Sequence, residues 1–399
     1  METEPASSIG PNTALLNGTA NPSGNETTAW FEWGMTTSYG NTISPVHNVG
    51  SGTNSVAFSD NLTGLVSGQT YHYCAVAQSS QGISYGNDQS FTTEHWPDFP
   101  RIVGIDYGPF RDGQSPDLGI YPTAQQMQED LLVLKKIANV IRTNSVTHGL
   151  ENIVAYADNV GLEIVPGAWL SDNTGENDNE IKNLISVVQD KRNVKFVVVG
   201  NEAFLRYQNG WPGGLAKNQL ISYINYVHQS VNLPVTTAEP WHIWQDNTDL
   251  AAVVDYLFIN IHPYWENQSI DTAVNFIAQK YNQLKALYPQ KRIIISETGW
   301  PSEGNAQGSA VPSLENQKEF IVRFSEWSFN ENIDFFYFEA FDEKWKNEPN
   351  EVGPHWGFYY SNRTPKHPID SFYTIATPVS YTHLRAHETV LDLVCRLLL

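Results

Sequence analysis

Apolar and polar positions alternate along this chain in two different rhythms. From residue 1 to about 93 short runs alternate with period two and are separated by Ser, Thr, Asn and Gly, the pattern of a small all-β sandwich. Ala29-Trp30-Phe31-Glu32-Trp33 and Tyr71 to Ala77 read as two of its strands. From residue 101 onward, strand-length apolar runs alternate with amphipathic runs about every 30 residues. Strands are expected at Ile102–Tyr107, Val140–Arg142, Leu162–Val165, Val194–Val199, Val235–Thr237, Val254–Ile261, Arg292–Ile295 and Phe335–Phe338. Helical stripes lie between them: Met127, Leu131, Leu134 and Ile137; Ile153, Val154, Ala157 and Val160; Ile181, Leu184, Ile185 and Val188. Others are centred on Leu220, Ile224 and Val227, on Phe276, Ile277 and Leu284, and on Phe320, Ile321 and Phe324. Thr123 with Gln126 is a capping box, and Gly161 is a helix stop. Runs apolar at every position belong to parallel strands covered on both faces.

Eight such alternations predict a (β/α)8 TIM barrel behind an immunoglobulin-like sandwich. A doubly wound open sheet competes, but no Gly-rich phosphate loop follows the first strand. The expected organisation is a sandwich over 1–93, a Pro-containing linker over 94–100, a barrel over 101–377, and a tail over 378–399. The tail, with Ser380-Tyr381-Thr382-His383-Leu384-Arg385, resembles translated sequencing adapter and is read as non-native; His383 and His387 receive no metal role.

Charge narrows the partners. A net charge of -20 and a pI near 4.8 repel phosphate backbones and anionic lipid but not a neutral polysaccharide. Nucleic acid is therefore excluded as the expected partner. Cys74 and Cys395 are the two cysteines, so neither a disulfide framework nor a zinc spacing is present. No apolar run is long enough to span a membrane, and no secretory signal opens the sequence. Asp172 to Glu180 is acidic but lacks EF-hand spacing and reads as helix-start chemistry, so no metal and no cofactor are implied.

Two runs carry the chemistry. Val197-Val198-Val199-Gly200-Asn201-Glu202 and Ile293-Ile294-Ile295-Ser296-Glu297 each end an apolar strand in a glutamate. Carboxylates at the C-terminal ends of barrel strands lie where such folds place their reactions, and a pair of them is what glycosidic cleavage requires. Trp169, Trp211, Trp241, Trp244, Trp265, Trp300 and Trp345 all follow strands at the same end, and indole faces suit the C–H faces of pyranoses. Arg142, ending strand two, reads as a structural partner for a carboxylate or a modulator of its pKa, the first being preferred.

Together with Gly104-Ile105-Asp106-Tyr107-Gly108-Pro109-Phe110, His262-Pro263-Tyr264-Trp265, Phe338-Glu339-Ala340-Phe341-Asp342-Glu343-Lys344-Trp345-Lys346 and His355-Trp356-Gly357, these runs resemble glycoside hydrolase family 17 over residues 101–377. The N-terminal segment, with Leu62-Thr63-Gly64-Leu65, Gly68 and Tyr71, resembles fibronectin type III domains, where a corner tyrosine bonds back to the backbone. The family resemblance implies a retaining glycosidase acting on neutral β-1,3-glucan of the laminarin type, with Glu202 as acid/base and Glu297 as nucleophile. Asn201 is expected on the sugar 2-hydroxyl, and Tyr264 is expected to orient Glu297 through its hydroxyl. Tyr107, Trp169, Trp265, Trp300, Glu339, Asp342, Trp345 and Lys346 complete the expected substrate contacts, although Glu339, Asp342 and Lys346 also suit a rim salt-bridge network. A β-1,3-glucanosyltransferase using the same pair is the alternative, and an inactive glucan-binding protein is a third. The resemblance also implies an extracellular or periplasmic monomer. Trp30 and Trp33 are candidate glucan contacts of the sandwich, which otherwise reads as a spacer.

Overall fold

A computed structural model describes residues 1–44, 46–95 and 103–367 of the chain, which forms two units. The expected linker falls largely, and the expected tail wholly, outside those residues.

The first unit is all antiparallel. Its strands are β1 (Glu2–Ser7), β2 (Thr13–Ala20), β3 (Thr27–Gly34), β4 (Asn41–Thr42), β5 (His47–Gly50), β6 (Val56–Thr63), β7 (Thr70–Ser79), β8 (Gly82–Tyr85) and β9 (Gln89–Thr92). One sheet runs β1-β2-β6; the other runs β4-β3-β7-β8, with β5 beside β3 and β9 beside β7. Alternation sends Ala14, Leu16, Phe31, Phe58, Leu62, Tyr73 and Phe91 inward to one core. The expected corner forms: the Tyr71 hydroxyl accepts the Val66 N–H at 3.0 Å. Trp33 packs toward this core beside Tyr71, with ring centroids 5.9 Å apart. Trp30 lies on the opposite face of β3, because residues three apart on a strand point apart. The two tryptophans therefore do not form one sugar platform.

The second unit is a parallel barrel of β10 (Val103–Asp106), β11 (Val140–Arg142), β12 (Glu163–Val165), β13 (Gly167–Ala168), β14 (Val197–Asn201), β15 (Val235–Pro240), β16 (Tyr256–Asn260), β17 (Arg292–Thr298) and β18 (Asp334–Tyr337). The sheet order is β12-β11-β10-β18-β17-β16-β15-β14-β13. β12 and β13 are one barrel strand interrupted at Pro166, which has no N–H to give a ladder. Pairing of β12 with β11 and of β13 with β14 thus closes eight strands into a ring. Between them run α1 (Ala124–Leu134), α2 (Ile153–Val160), α3 (Thr174–Val187), α4 (Ala203–Gln208), α5 (Lys217–Ser230), α6 (Trp241–Asp246), α7 (Thr248–Ala252), α8 (Ala273–Leu287) and α9 (Leu314–Asn330). The Thr123–Gln126 capping box is formed, and Gly161 ends α2 with φ 71°. Phe196, Phe258 and Phe336 meet edge to face in the interior. A Cβ on Gly104 would sit 2.4 Å from the Phe336 ring, so glycine makes room for that ring.

Two strands are irregular where the candidate carboxylates lie. Opposite β15, the register runs Val198↔Thr236 and then Asn201↔Ala238, one extra residue on β14. Opposite β16, it runs Ile259↔Ile295 and then Asn260↔Glu297, one extra residue on β17. Such bulges re-aim the side chains that follow. Gly200 takes φ 86° at the first of them, a conformation that glycine adopts freely.

Tyr71→Phe leaves the buried Val66 N–H without its acceptor and is expected to cost about 1–3 kcal/mol. Urea unfolding of the two proteins checks this; equal midpoints would show that the corner bond contributes nothing.

Candidate active site

All strands of the barrel are parallel, so their C-terminal ends share one rim, and both glutamates stand on it. Glu202 follows β14 and Glu297 is the penultimate residue of β17. They are joined through a continuous hydrogen-bond network. Asn260 Nδ2, at the end of β16, donates to Glu202 Oε1 at 2.8 Å and to Asn201 Oδ1 at 3.3 Å. Arg142 Nη2 donates to the same Asn201 oxygen at 2.9 Å. Arg142 Nη1 reaches Glu297 Oε1 at 2.8 Å, Asp106 Oδ1 at 3.0 Å and the Ser296 carbonyl at 3.1 Å. Ser296 Oγ closes the loop by donating to Asn260 Oδ1 at 2.5 Å.

The amide orientations follow from this network. Both partners of Asn201 Oδ1 are donors, so its Nδ2 points the other way, with no partner among the described residues. Glu202 Oε2 likewise has no hydrogen-bond partner among the described residues. His262 completes the surroundings of Glu297: its Nε2 lies 3.3 Å from Oε2, and its ring stands edge-on to Phe338 and Trp356.

The two carboxyls are driven in opposite directions. Burial and then the negative charge of Glu297 raise the pKa of Glu202, against the Asn260 hydrogen bond and the charges of His262 and Arg206. Burial also opposes ionisation of Glu297, but the Arg142 guanidinium and the His262 hydrogen bond overcome it and bring that pKa down to about 2. One rim therefore holds a carboxyl biased toward keeping its proton beside one held ionised, the division of labour that acid/base chemistry with a nucleophile needs.

The other expected site residues divide into several groups. Tyr107 is taken up by the core, and its hydroxyl donates to buried Asp130 at 3.2 Å. Trp300 is fully buried with Nε1 on the Val311 carbonyl. Tyr264 is also buried, and its hydroxyl donates to the Asn305 carbonyl at 2.8 Å rather than to Glu297. The expected orienting role of Tyr264 is thus filled by His262, two residues earlier in the same motif. Trp244 packs internally, while Trp241, Trp265 and Trp345 are half-buried. Trp169 and Trp211 are 42% and 55% exposed, and the Arg206 guanidinium lies 4.5 Å from the Trp169 ring centroid. Arg206 is itself pinned to the carbonyls of Asn201, Leu170 and Gly213, so Trp169 rests on a rigid plate.

At the end of β18, Lys346 Nζ bridges Glu339 at 2.5 Å and Glu343 at 3.0 Å. Glu339 keeps Oε1 buried without a hydrogen-bond partner among the described residues. Asp342 is occupied by Lys366 at 2.7 Å and by the Gly357 N–H at 2.9 Å, so it holds a loop. The acidic segment runs into the first turns of α3: Asn173 caps the helix, Asn177 bonds the Ser171 backbone, and Glu180 gathers Ser145, Val146, Thr147 and the Trp169 N–H. Arg142 pairs with a carboxylate as expected, that of Glu297, and it also lowers the pKa of that carboxylate, so both expected roles fall to it. Asn260, His262, Glu239 and Glu343 were missed as site candidates. A polar residue ending an otherwise apolar strand run was the available signal for Asn260.

Several buried acids carry raised pKa values, which has a consequence for stability. Burial pushes Glu239 up to about 8, and burial also raises Asp106, Glu202 and Glu339. Unfolded carboxyls titrate near pH 4. Between pH 6.5 and 8 the folded chain therefore holds protons that the unfolded chain has released, and stability falls as pH rises. Lys291, lowered to about 8 by burial, opposes this as pH approaches 8, and His242, His355 and His367, also lowered by burial, oppose it near pH 6.5; the raised carboxyls outweigh them. Thermal unfolding across pH 6.5–8 is expected to show a falling midpoint; a flat or rising one would contradict these assignments.

Comparison with known proteins gives a consistent picture. The model of the BtgE/BtgC glycoside hydrolase domain matches residues 104–357. The glucan 1,3-beta-glucosidase of Schizosaccharomyces pombe is 29% identical over 257 residues, 60% of this chain and 79% of that one. The probable glucan endo-1,3-beta-glucosidase btgC of Aspergillus oryzae is 29% identical over 291 residues, 65% of this chain; the match spans only 41% of the Aspergillus protein. Among solved structures, a glycoside hydrolase family 17 beta-1,3-glucanosyltransferase from Rhizomucor miehei aligns with a TM-score of 0.58 and 30% identity, over 66% of this chain and 95% of that one.

Proposed function

The chain belongs to the BtgE/BtgC glycoside hydrolase domain family, and from that premise we propose that it cleaves β-1,3-glucan with retention, by double displacement. The observation that carries this reading is the single network joining Glu202 to Glu297 while driving their pKa values apart.

Glu297, held ionised by Arg142 and His262, is the nucleophile that attacks the anomeric carbon. Glu202 is the acid. Its Oε1 is engaged by Asn260, so Oε2 carries the proton given to the departing glycosidic oxygen. The C–O bond to the leaving sugar breaks as the ester to Glu297 forms. Esterification removes the charge that raised the pKa of Glu202, which then takes a proton from the incoming hydroxyl. That hydroxyl attacks the anomeric carbon and frees Glu297. Asn201 Nδ2 is the donor suited to the sugar 2-hydroxyl, a contact that strengthens as the oxocarbenium-like state develops. Trp169 supplies an open indole face to a sugar ring, and Trp265, Trp345, Glu339 and Lys346 line the remaining rim.

Water as the incoming group makes the enzyme a glucanase; a sugar hydroxyl makes it a glucanosyltransferase. Likeness to the Rhizomucor miehei transferase supports keeping the second outcome as the alternative. Both glutamates come from one chain, which suits a monomer. A polymeric substrate suits an extracellular or periplasmic enzyme, and the N-terminal unit, with its tyrosine corner, suits a fibronectin type III-like spacer.

Glu202→Gln and Glu297→Gln are each expected to lower the release of reducing ends from laminarin by about 10³-fold or more. Glu202→Gln leaves the unfolding midpoint near that of the parent, whereas Glu297→Gln also lowers it, because the buried Arg142 loses its ionised partner. Near-normal release in either variant contradicts the assignment. With laminari-oligosaccharides, products longer than the donor identify transfer, and shorter products alone identify hydrolysis.

A further inference from the structure

Glu239 is a buried acid of the barrel that the proposed reaction leaves unused. It lies on β15 with no exposed surface. Its Oε1 accepts the Phe204 N–H at 2.8 Å, and its Oε2 accepts the Leu205 N–H at 3.1 Å. Both amides belong to the first turn of α4, the helix that starts directly after Glu202. The residue before Glu239, Ala238, accepts the N–H of Glu202 itself at 2.7 Å. Two neighbouring residues of β15 therefore hold three of the four backbone N–H groups between Glu202 and Leu205.

That segment needs an external hold. α4 is six residues long, too short to sustain itself. Glu202 has φ 49°, in the left-handed region that a residue with a Cβ adopts only at a cost. Without partners in the barrel wall, the turn would relax and carry the Glu202 carboxyl with it.

We propose that Glu239 is the positioning residue for Glu202: its carboxyl clamps the first turn of α4 and so fixes where the acid meets the glycosidic oxygen. The inference rests on the reading of Glu202 as acid/base. The charged groups facing Glu239 are Glu202 and Arg206. Its neighbours across β16, Ile259 and Asn260, are uncharged, as are Gly200 and Asn201 on β14. Burial pushes the Glu239 pKa up to about 8, while the two N–H bonds it accepts favour the carboxylate, and glutamine imitates the clamp only in part. Glutamine offers one carbonyl oxygen for the two amides.

A displaced acid slows only those cleavages that need its proton. The test compares kcat/KM on laminaripentaose, whose leaving sugar must be protonated, with kcat/KM on 2,4-dinitrophenyl β-laminaribioside, whose phenolate departs without a proton. Glu239→Ala is expected to lose about 30-fold or more on laminaripentaose and about threefold or less on the dinitrophenyl substrate. Glu239→Gln is expected to fall between parent and alanine on laminaripentaose, and it serves as the test variant where alanine fails to fold. Equal losses on both substrates, or none on either, overturn the positioning role alone. A parent protein that cleaves neither substrate overturns the acid/base reading, and the proposal with it.

Discussion

The contact between Arg142 and Glu297 organises the rim of the barrel. Both side chains are almost wholly shielded from solvent, and an ion buried without a partner costs several kcal/mol. Each charge is tolerable because the other is 2.8 Å away. The guanidinium also touches Asp106, Asn201 and the Ser296 carbonyl, so one side chain ties together the ends of β10, β11, β14 and β17. Its planar fork makes those contacts at fixed angles, which the single ammonium of lysine does not reproduce. Closure of the barrel supplies the geometry, since these strands meet only when the ring is complete.

The same contact separates the roles of the two glutamates. Burial acts on both and would keep both protonated. Arg142 and His262 overturn it at Glu297, while at Glu202 the neighbouring negative charge adds to it. Asn260 links the pair without neutralising either, because an amide donates to one carboxyl and accepts from Ser296 in the same plane. The bulges on β14 and β17 complete the arrangement by turning the ends of otherwise regular strands. Glu202 gains its position at the expense of backbone strain, which the hydrogen bonds from β15 offset.

Much of this was legible in the residues. Strand-length runs located the eight barrel strands, although the Gly167–Ala168 part of the third lay outside its run, because burial on both faces leaves few charged positions in a strand. The capping box at Thr123, the stop at Gly161 and the corner at Tyr71 were legible because each depends on neighbours in sequence. Other site features depend on distant residues and were not legible. Which residue of His262-Pro263-Tyr264-Trp265 faces Glu297 is set by the turn after β16, and His262 takes the place expected of Tyr264. Tyr107 and Trp300 lie just past the ends of β10 and β17, but their side chains turn into the core. Clustering of tryptophans near the rim did not distinguish exposed Trp169 and Trp211 from fully buried Trp244 and Trp300. Arg142 could be read as a carboxylate's partner, but only closure of the ring identifies that carboxylate as Glu297.

The most direct test of the account is covalent. A 2-deoxy-2-fluoro-β-laminaribiosyl donor with a dinitrophenyl leaving group slows the release of the glycosyl ester and lets it accumulate. Peptide mass spectrometry of the labelled protein is predicted to find the fluorosugar on Glu297, with one dinitrophenolate released per chain. Label on Glu202 or on another residue, or turnover with no ester formed, would contradict the account.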